Sequence, residues 1–305
     1  MPARRSHHQF LAPSSTGALK ASLDQLYRDF DHPESALDPI QIVRRYPRVE
    51  DREIVAFVAA GLALGRVASV MNSVEAVCAV MGPAPAAFVR GFDPAVSGVQ
   101  VRPLVHRWIR GVDFIALFIV LRRILESHGS IEAFFAEGLD RAAPDLAGAL
   151  ESFSTRAQTL VLAPARRGPA RRSRGLAGTI TPFFPRPSGG SACKRLNLFV
   201  RWMVRRDGVD PGGWTRVPVG QLVVPLDTHT IRVGQCLRLT RRTSPGWKMA
   251  ADITTALRAL DPDDPVRYDF SLCHLSMMGA CGFGAPRGSA QCPLREHCRP
   301  RRRSR

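Results

Sequence analysis

Apolar residues recur along most of the chain at intervals of three and four, the spacing that gathers them on one face of a helix. Leu19, Leu23, Leu26 and Tyr27 follow it over 18–30, and Ile54, Phe57, Val58, Gly61, Leu62 and Gly65 form a wider stripe over 50–66. The breadth of that second stripe, with small residues inside it, predicts a helix buried on most sides. Further helices are expected over 68–81, 84–92, 113–127 and 131–139, the last two separated by Gly129. After Gly189 and Gly190, Ser191 can cap a helix to about 206 whose inward positions are Leu196, Phe199, Val200 and Met203. Pro225-Leu226-Asp227-Thr228-His229 opens another to about 239, and two more are expected over 247–260 and 265–278. Strand alternation is almost absent and β-branched runs are short, while Ala, Leu and Arg abound, so the expected fold class is all-α.

Composition divides the chain further. Residues 1–17 read as a flexible N-terminus, 18–163 as an N-terminal helical lobe, and 164–190 as a basic loop rich in Arg, Pro and Gly. A second helical lobe with the candidate active site follows over 191–280, and 281–305 form a cysteine-bearing basic tail. Arg166, Arg167, Arg171, Arg172 and Arg174 crowd the loop, and no acidic residue occurs between Glu151 and Asp207. Such a run neutralises phosphates well, although charge runs are also commonly just solvated.

Charge sets the expected partner. The 305 residues contain 43 Lys and Arg against 26 Asp and Glu, a net charge of +17. That excess points to a polyanion, with DNA or RNA ahead of an anionic membrane surface. The arginines cluster in loop rather than on an amphipathic helix, which argues against the membrane. No stretch approaches the roughly 18 to 20 apolar residues of a membrane-spanning helix, and the N-terminus lacks the apolar run of a secretory signal, so a soluble cytoplasmic protein is expected. In that compartment the crowding of Cys273, Cys281, Cys292 and Cys298 suggests a metal rather than disulfides. Cys78, Cys193 and Cys236 read as small buried hydrophobes.

Lysine occurs only as Lys20, Lys194 and Lys248, so nearly all positive charge is arginine. Guanidinium replaces ammonium where charge alone is needed, but it cannot lose a proton and attack a carbon. Lys194 lies in the first turn of its helix beside Arg195, where it can contact a phosphate or, if deprotonated, act as a nucleophile. Asp227 stands where a helix begins, so it can be an N-cap, or an oriented carboxylate that stabilises a sugar cation or accepts a proton. His229 can orient Asp227 or contact phosphate, and Arg171, Arg172, Arg174, Arg195, Arg201 and Arg205 are candidate nucleic-acid contacts. Trp202 reads as core with base stacking as its alternative, Trp214 as a residue that could stack on a base, and Phe183-Phe184 as a wedge into a duplex or an anchor for the loop.

The segment Pro225-Leu226-Asp227-Thr228-His229, with Ile231-Arg232-Val233 and Leu237 after it, resembles the one carrying the catalytic aspartate in helix-hairpin-helix base-excision DNA glycosylases of the endonuclease III type. Over most of its length the chain is similar to a bacterial family filed as a domain of unknown function, number 2400, itself similar to that superfamily. Asp38-Pro39-Ile40, residues 51–66, Gly190-Ser191-Ala192-Cys193-Lys194-Arg195-Leu196, Arg201-Trp202-Met203-Val204-Arg205 and Tyr268-Asp269-Phe270 carry the likeness. The resemblance implies a two-lobed helical fold with an interlobe cleft, Asp227 as catalytic aspartate and Lys194 at the place of the lysine that attacks the sugar. It also implies a 4Fe-4S cluster in the tail, with Cys281 as first ligand and Cys292 and Cys298 as the last pair. The remaining ligand falls at Ser289, leaving Cys273, His274 or His297 to replace it. A zinc site from the same cysteines and a histidine, or no metal, are the alternatives. The function expected is a DNA glycosylase, with or without β-lyase activity, acting on a flipped damaged nucleotide. The alternative is a non-catalytic DNA- or RNA-binding protein that keeps the fold.

Overall fold

The computed structural model describes residues 13–34, 37–162, 180–279 and 292–298, and helices carry nearly all the regular structure in them. Helix α1 (Pro13–Phe30) precedes the single turn α2 (Ile40–Val43), then α3 (Val49–Leu62), α4 (Val67–Met81), α5 (Pro85–Arg90) and α6 (Gly98–Val101). Strands β1 (Val105–His106) and β2 (Ile109–Arg110) pair antiparallel, and α7 (Gly111–His128), α8 (Ile131–Ala136) and α9 (Ala147–Leu162) follow. Beyond the basic loop come α10 (Lys194–Val204), α11 (Thr228–Cys236), α12 (Trp247–Arg258) and α13 (Asp269–Met277). The protein is therefore all-α apart from one hairpin, and among the described residues no helix is long and apolar enough to cross a membrane.

Two helices differ from the pattern in ways with a physical cause. Helix α3 ends at Leu62 rather than 66 because Ala63 takes ψ 65°, outside the helical range, and Gly65 at φ +112° turns the chain further away. Helix α9 was not expected, yet Leu150, Phe153, Ala157 and Val161 give it a buried face at helical spacing. Helix α1 begins at Pro13, inside the segment expected to be a flexible N-terminus.

Helix α3 is the hub, buried from Ile54 to Leu62, with α10 packed along it. Its two buried carboxylates serve other helices. Asp51 Oδ1 accepts from Ala86 N in the first turn of α5 at 2.9 Å, and Glu53 accepts from Ile131 N and Glu132 N at the start of α8. Glu53 Oε1 also takes the indole N–H of Trp214 at 2.6 Å, so Trp214 is fixed in the core and not available to stack on a base. Phe57 gathers Phe153, Phe184 and Phe199 around itself at centroid distances of 5.1–6.3 Å. Phe183 and Phe184 are thus core residues that anchor the end of the basic loop, which corrects the wedge reading. Each buried phenylalanine contributes about 1.5–3 kcal/mol relative to exposure.

The C-terminal half of α10 carries the charges of the core. Arg201 donates to Asp210 from Nε and Nη2, at 3.1 and 3.0 Å, and to Asp269 from Nη1 at 2.6 Å. Arg205 reaches Asp207, Asp210 and Asp264. Both arginines are buried with every partner intramolecular, so they are structural and not the nucleic-acid contacts expected of them. Removing one partner of a buried pair costs about 3–5 kcal/mol because the other charge is left uncompensated. Asp210 serves both guanidiniums, so Asp210→Ala is expected to lower the unfolding free energy by about that amount in urea titration. A loss below about 1 kcal/mol would show that the network is not structurally important.

Candidate active site

Helix α10 presents Lys194, Leu198, Arg201 and Trp202 at i, i+4, i+7 and i+8, one stripe along its surface. All four line a cavity of about 120 Å³. The segment after α3 (Ala63 and Gly65) and the start of α4 close one side, the N-terminus of α11 another, and Phe270, Cys273, His274 and Met277 of α13 a third. Asp38 and Pro39, just before α2, complete the wall.

Lys194 and Asp227 therefore face a common space, and each also has local work. Lys194 Nζ donates to Ala63 O at 2.8 Å, and Arg195 Nη1 donates to Gly61 O at 3.0 Å. The pair satisfies carbonyls at the C-terminal end of α3, where cations are favoured by unpaired C=O groups and the helix dipole. Arg195 is accordingly half-buried and committed to the protein interior, not displayed as a phosphate contact. Lys194 is the first residue of α10, because Cys193 takes φ +49° and its N–H donates to Ser191 Oγ. The helix thus starts later than its expected Ser191 cap.

Asp227 is the N-cap of α11, with Oδ1 accepting from His229 N at 2.9 Å and Thr230 N at 2.8 Å. Its other oxygen, Oδ2, accepts from the thiol of Cys273 at 3.4 Å. Burial, with Asp227 beside it, pushes the Cys273 thiol well above its ordinary value, which keeps it a protonated donor. His229 Nδ1 lies 3.1 Å from Ser276 Oγ, and the residue also lines the cavity.

Asp38 and Asp269 belong to this site without having been assigned a role from the sequence, and His274, named there only as a replacement metal ligand, joins them. Asp269 is pushed up to about 6 by burial and by the charge of Asp227, against the opposing pull of Arg201. His274 Nδ1–H donates to Phe270 O at 2.9 Å, and burial holds its ring below the ordinary histidine value, so the neutral ring leaves Nε2 as an acceptor. That Nε2 lies 3.7 Å from Asp38 Oδ2 and has no hydrogen-bond partner among the described residues, nor does the buried indole N–H of Trp202. Trp202 is fully buried, yet its edge belongs to the cavity wall. Buried polar atoms in proteins are nearly always paired, so these two are exceptions, and both belong to residues of the cavity wall.

The tail is arranged differently from the expected metal site. Cys298 is bonded to Cys236 at the end of α11, with Cα atoms 5.1 Å apart, so Cys298 is no separate thiolate and Cys236 no isolated hydrophobe. Cys273 faces Asp227, and His297 Nε2 meets Ser22 Oγ at 2.9 Å, fastening the tail to α1. Cys292 is half-buried against the core. These donors do not fit a common ion, and among the described residues no group of three or more His, Cys, Asp or Glu is placed to hold one. Cys281 lies outside the described residues, as do Arg171, Arg172 and Arg174.

The profile of the family described as "Protein of unknown function (DUF2400)" matches residues 38–278, which takes in every residue of the cavity wall, and the chain belongs to this family. Comparison with curated proteins and with solved structures found no match.

The raised Asp269 gives a stability signature. Its folded value of about 6 exceeds the unfolded 3.8, so its contribution is fully present below about pH 4 and is lost as the pH rises through 6. Asp269→Asn, which cannot titrate, is expected to gain thermal stability relative to wild type as the pH rises from 4 to 6. A difference in Tm that stays constant across that range would refute the assignment.

Proposed function

We propose that the cavity is the active site of a base-excision DNA glycosylase with β-lyase activity, on a two-lobed fold like that of the helix-hairpin-helix enzymes, acting on a damaged nucleotide flipped out of duplex DNA. The observation that carries this reading is that Lys194 and Asp227, far apart in sequence, line one small cavity. Its size supports a single flat ring as occupant, since a dry cavity of about 150 Å³ takes up benzene. Trp202, Phe270 and His274 supply aromatic walls, and stacking on such walls is how flipped and single-stranded bases are held.

In the proposed reaction the carboxylate of Asp227 stabilises positive charge that develops on the sugar as the C1′–N bond to the base breaks. The departing base takes the electron pair of the C1′–N bond and a proton, the amine of Lys194 adds to C1′, and transfer of a proton from Nζ to the ring oxygen opens the sugar and leaves an iminium between Nζ and C1′. A neutral amine still donates one N–H to Ala63 O, a bond that aims its lone pair rather than consuming it. Loss of a proton from C2′ then allows β-elimination of the 3′ phosphate, and water releases the lysine. The net charge of +17 supports binding of the duplex by its phosphates.

A second reading is a DNA- or RNA-binding protein without catalysis. It is favoured by the structural work of the same two groups, Lys194 at the end of α3 and Asp227 at the start of α11.

Borohydride trapping on duplexes carrying oxidised, deaminated or abasic sites separates them. A covalent adduct on a damaged-base duplex is expected from wild type and not from Lys194→Ala. Asn caps helices as well as Asp, so Asp227→Asn is expected to stay folded while base release falls by about 10²- to 10⁴-fold. No adduct and no base release on any duplex, despite binding, would decide for the non-catalytic reading.

A further inference from the structure

Between Asp93 and Asp113 the chain has no acidic residue but carries Arg102, Arg107, Arg110 and His106. The β1–β2 hairpin lies in this stretch, with Val105 opposite Arg110 and His106 opposite Ile109. Alternation turns His106 and Ile109 inward and leaves Val105 and Arg110 outside. His106 docks the hairpin, with Nε2 donating to Leu64 O at 3.2 Å and Nδ1 at 2.9 Å from Ser73 Oγ. Leu64 sits between Ala63 and Gly65 on the cavity wall, so the hairpin is fastened to the cavity's own rim.

The two turn residues are Arg107 and Trp108, an unusual pair for a two-residue hairpin. Such turns need a positive φ and are ordinarily built with Gly, Asn or Asp. Arg107 is held at φ +56°, one of few non-glycine residues in that region here, and it lowers stability relative to glycine. Trp108 is 52% exposed, whereas Trp202 and Trp214 are buried and Trp247 is half-buried. The Arg107 guanidinium lies 5.3 Å from the Trp108 ring centroid, and its Nη1 would be 2.7 Å from a Cβ placed on Gly65. Arg107 thus bridges the exposed indole and a glycine of the cavity wall.

We propose that the Arg107–Trp108 tip binds an unstacked nucleobase and its phosphate on a strand passing the cavity mouth, the indole stacking on the base and the guanidinium meeting the phosphate. A flat indole face stacks on any base, an arginine fork fits a phosphate, and the carboxylate beside the hairpin, Asp113, is engaged by the backbone N–H of Arg110. The proposal rests on the nucleic-acid reading above but not on catalysis by Lys194.

The test titrates the full chain with two labelled duplexes of equal length, one intact and one with a single abasic site opposite a base, following anisotropy and tryptophan emission. Wild type is expected to prefer the interrupted duplex and to show quenched emission. Trp108→Ala should weaken that binding by roughly 5- to 150-fold, abolish the quenching and leave binding to the intact duplex nearly unchanged. Arg107→Gly relieves the positive φ, so it should keep or raise Tm while also weakening the interrupted complex, which separates lost contact from lost fold. Variants that bind both duplexes like wild type, or emission that does not respond, would overturn the proposal and leave the glycosylase reading standing. Failure of wild type to bind either duplex would overturn both. Stacking without any borohydride adduct would sustain the surface and remove only the catalytic reading.

Discussion

Arg201 carries a full charge into the interior of the protein and is held there by Asp210 on one side and Asp269 on the other. A buried ion pair is not in itself a strong source of stability, because desolvation consumes most of the Coulomb attraction. What it supplies is registry. Arg201 is the i+7 partner of Lys194 on the cavity-facing stripe of α10, and Asp269 is the first residue of α13. Fixing one to the other sets how Lys194 and Leu198 stand opposite Cys273 and His274, so the cavity walls depend on a contact made beneath them.

The same network explains why its carboxylates do not behave alike. Two guanidiniums, Arg201 and Arg205, meet Asp207, Asp210, Asp264 and Asp269, an excess of negative charge in a place with little water. Asp207 is held below the ordinary carboxylate range because, besides Arg205, it accepts the backbone N–H groups of Val209 and Asp210. Asp264 and Asp269 are driven upward by burial, which their arginine partners only partly offset. The excess charge is therefore relieved at two places, Asp264 and, at the cavity, Asp269 beside Asp227.

Helices, their approximate spans and the cap at Asp227 were legible in the sequence because they depend on local spacing and on one residue's chemistry. The roles of Arg201 and Arg205 were not, since a charge pattern counts residues and cannot see partners. Asp210, Asp264 and Asp269 all lie beyond the acid-free run that made these arginines look free. The cysteines failed for a related reason. Cys273 and Cys298 are near in sequence, but α13 turns the first toward Asp227 while the tail carries the second to Cys236. The meeting of Asp38 with His274 could be found only by folding, because no spacing rule joins residues so far apart. The hairpin was hidden by its turn, which lacks the Gly, Asn or Asp that ordinarily announces one.

On the reading proposed for the cavity, Lys194 and Asp227 each make a helix terminus a structural joint and a reactive position at once. A carboxylate has two oxygens, and at Asp227 the backbone of α11 occupies Oδ1 while Oδ2 is left to the thiol of Cys273. An ammonium or amine has more than one N–H, and at Lys194 the single bond to Ala63 fixes direction without exhausting the group. In both cases the structural contact removes rotational freedom that a reactive group would otherwise have to lose when a ligand arrives. Because each contact is made to backbone, it survives side-chain changes elsewhere in the wall. The two groups therefore hold their mutual orientation as a property of the fold, while Trp202, Phe270 and His274 remain free to define what enters between them.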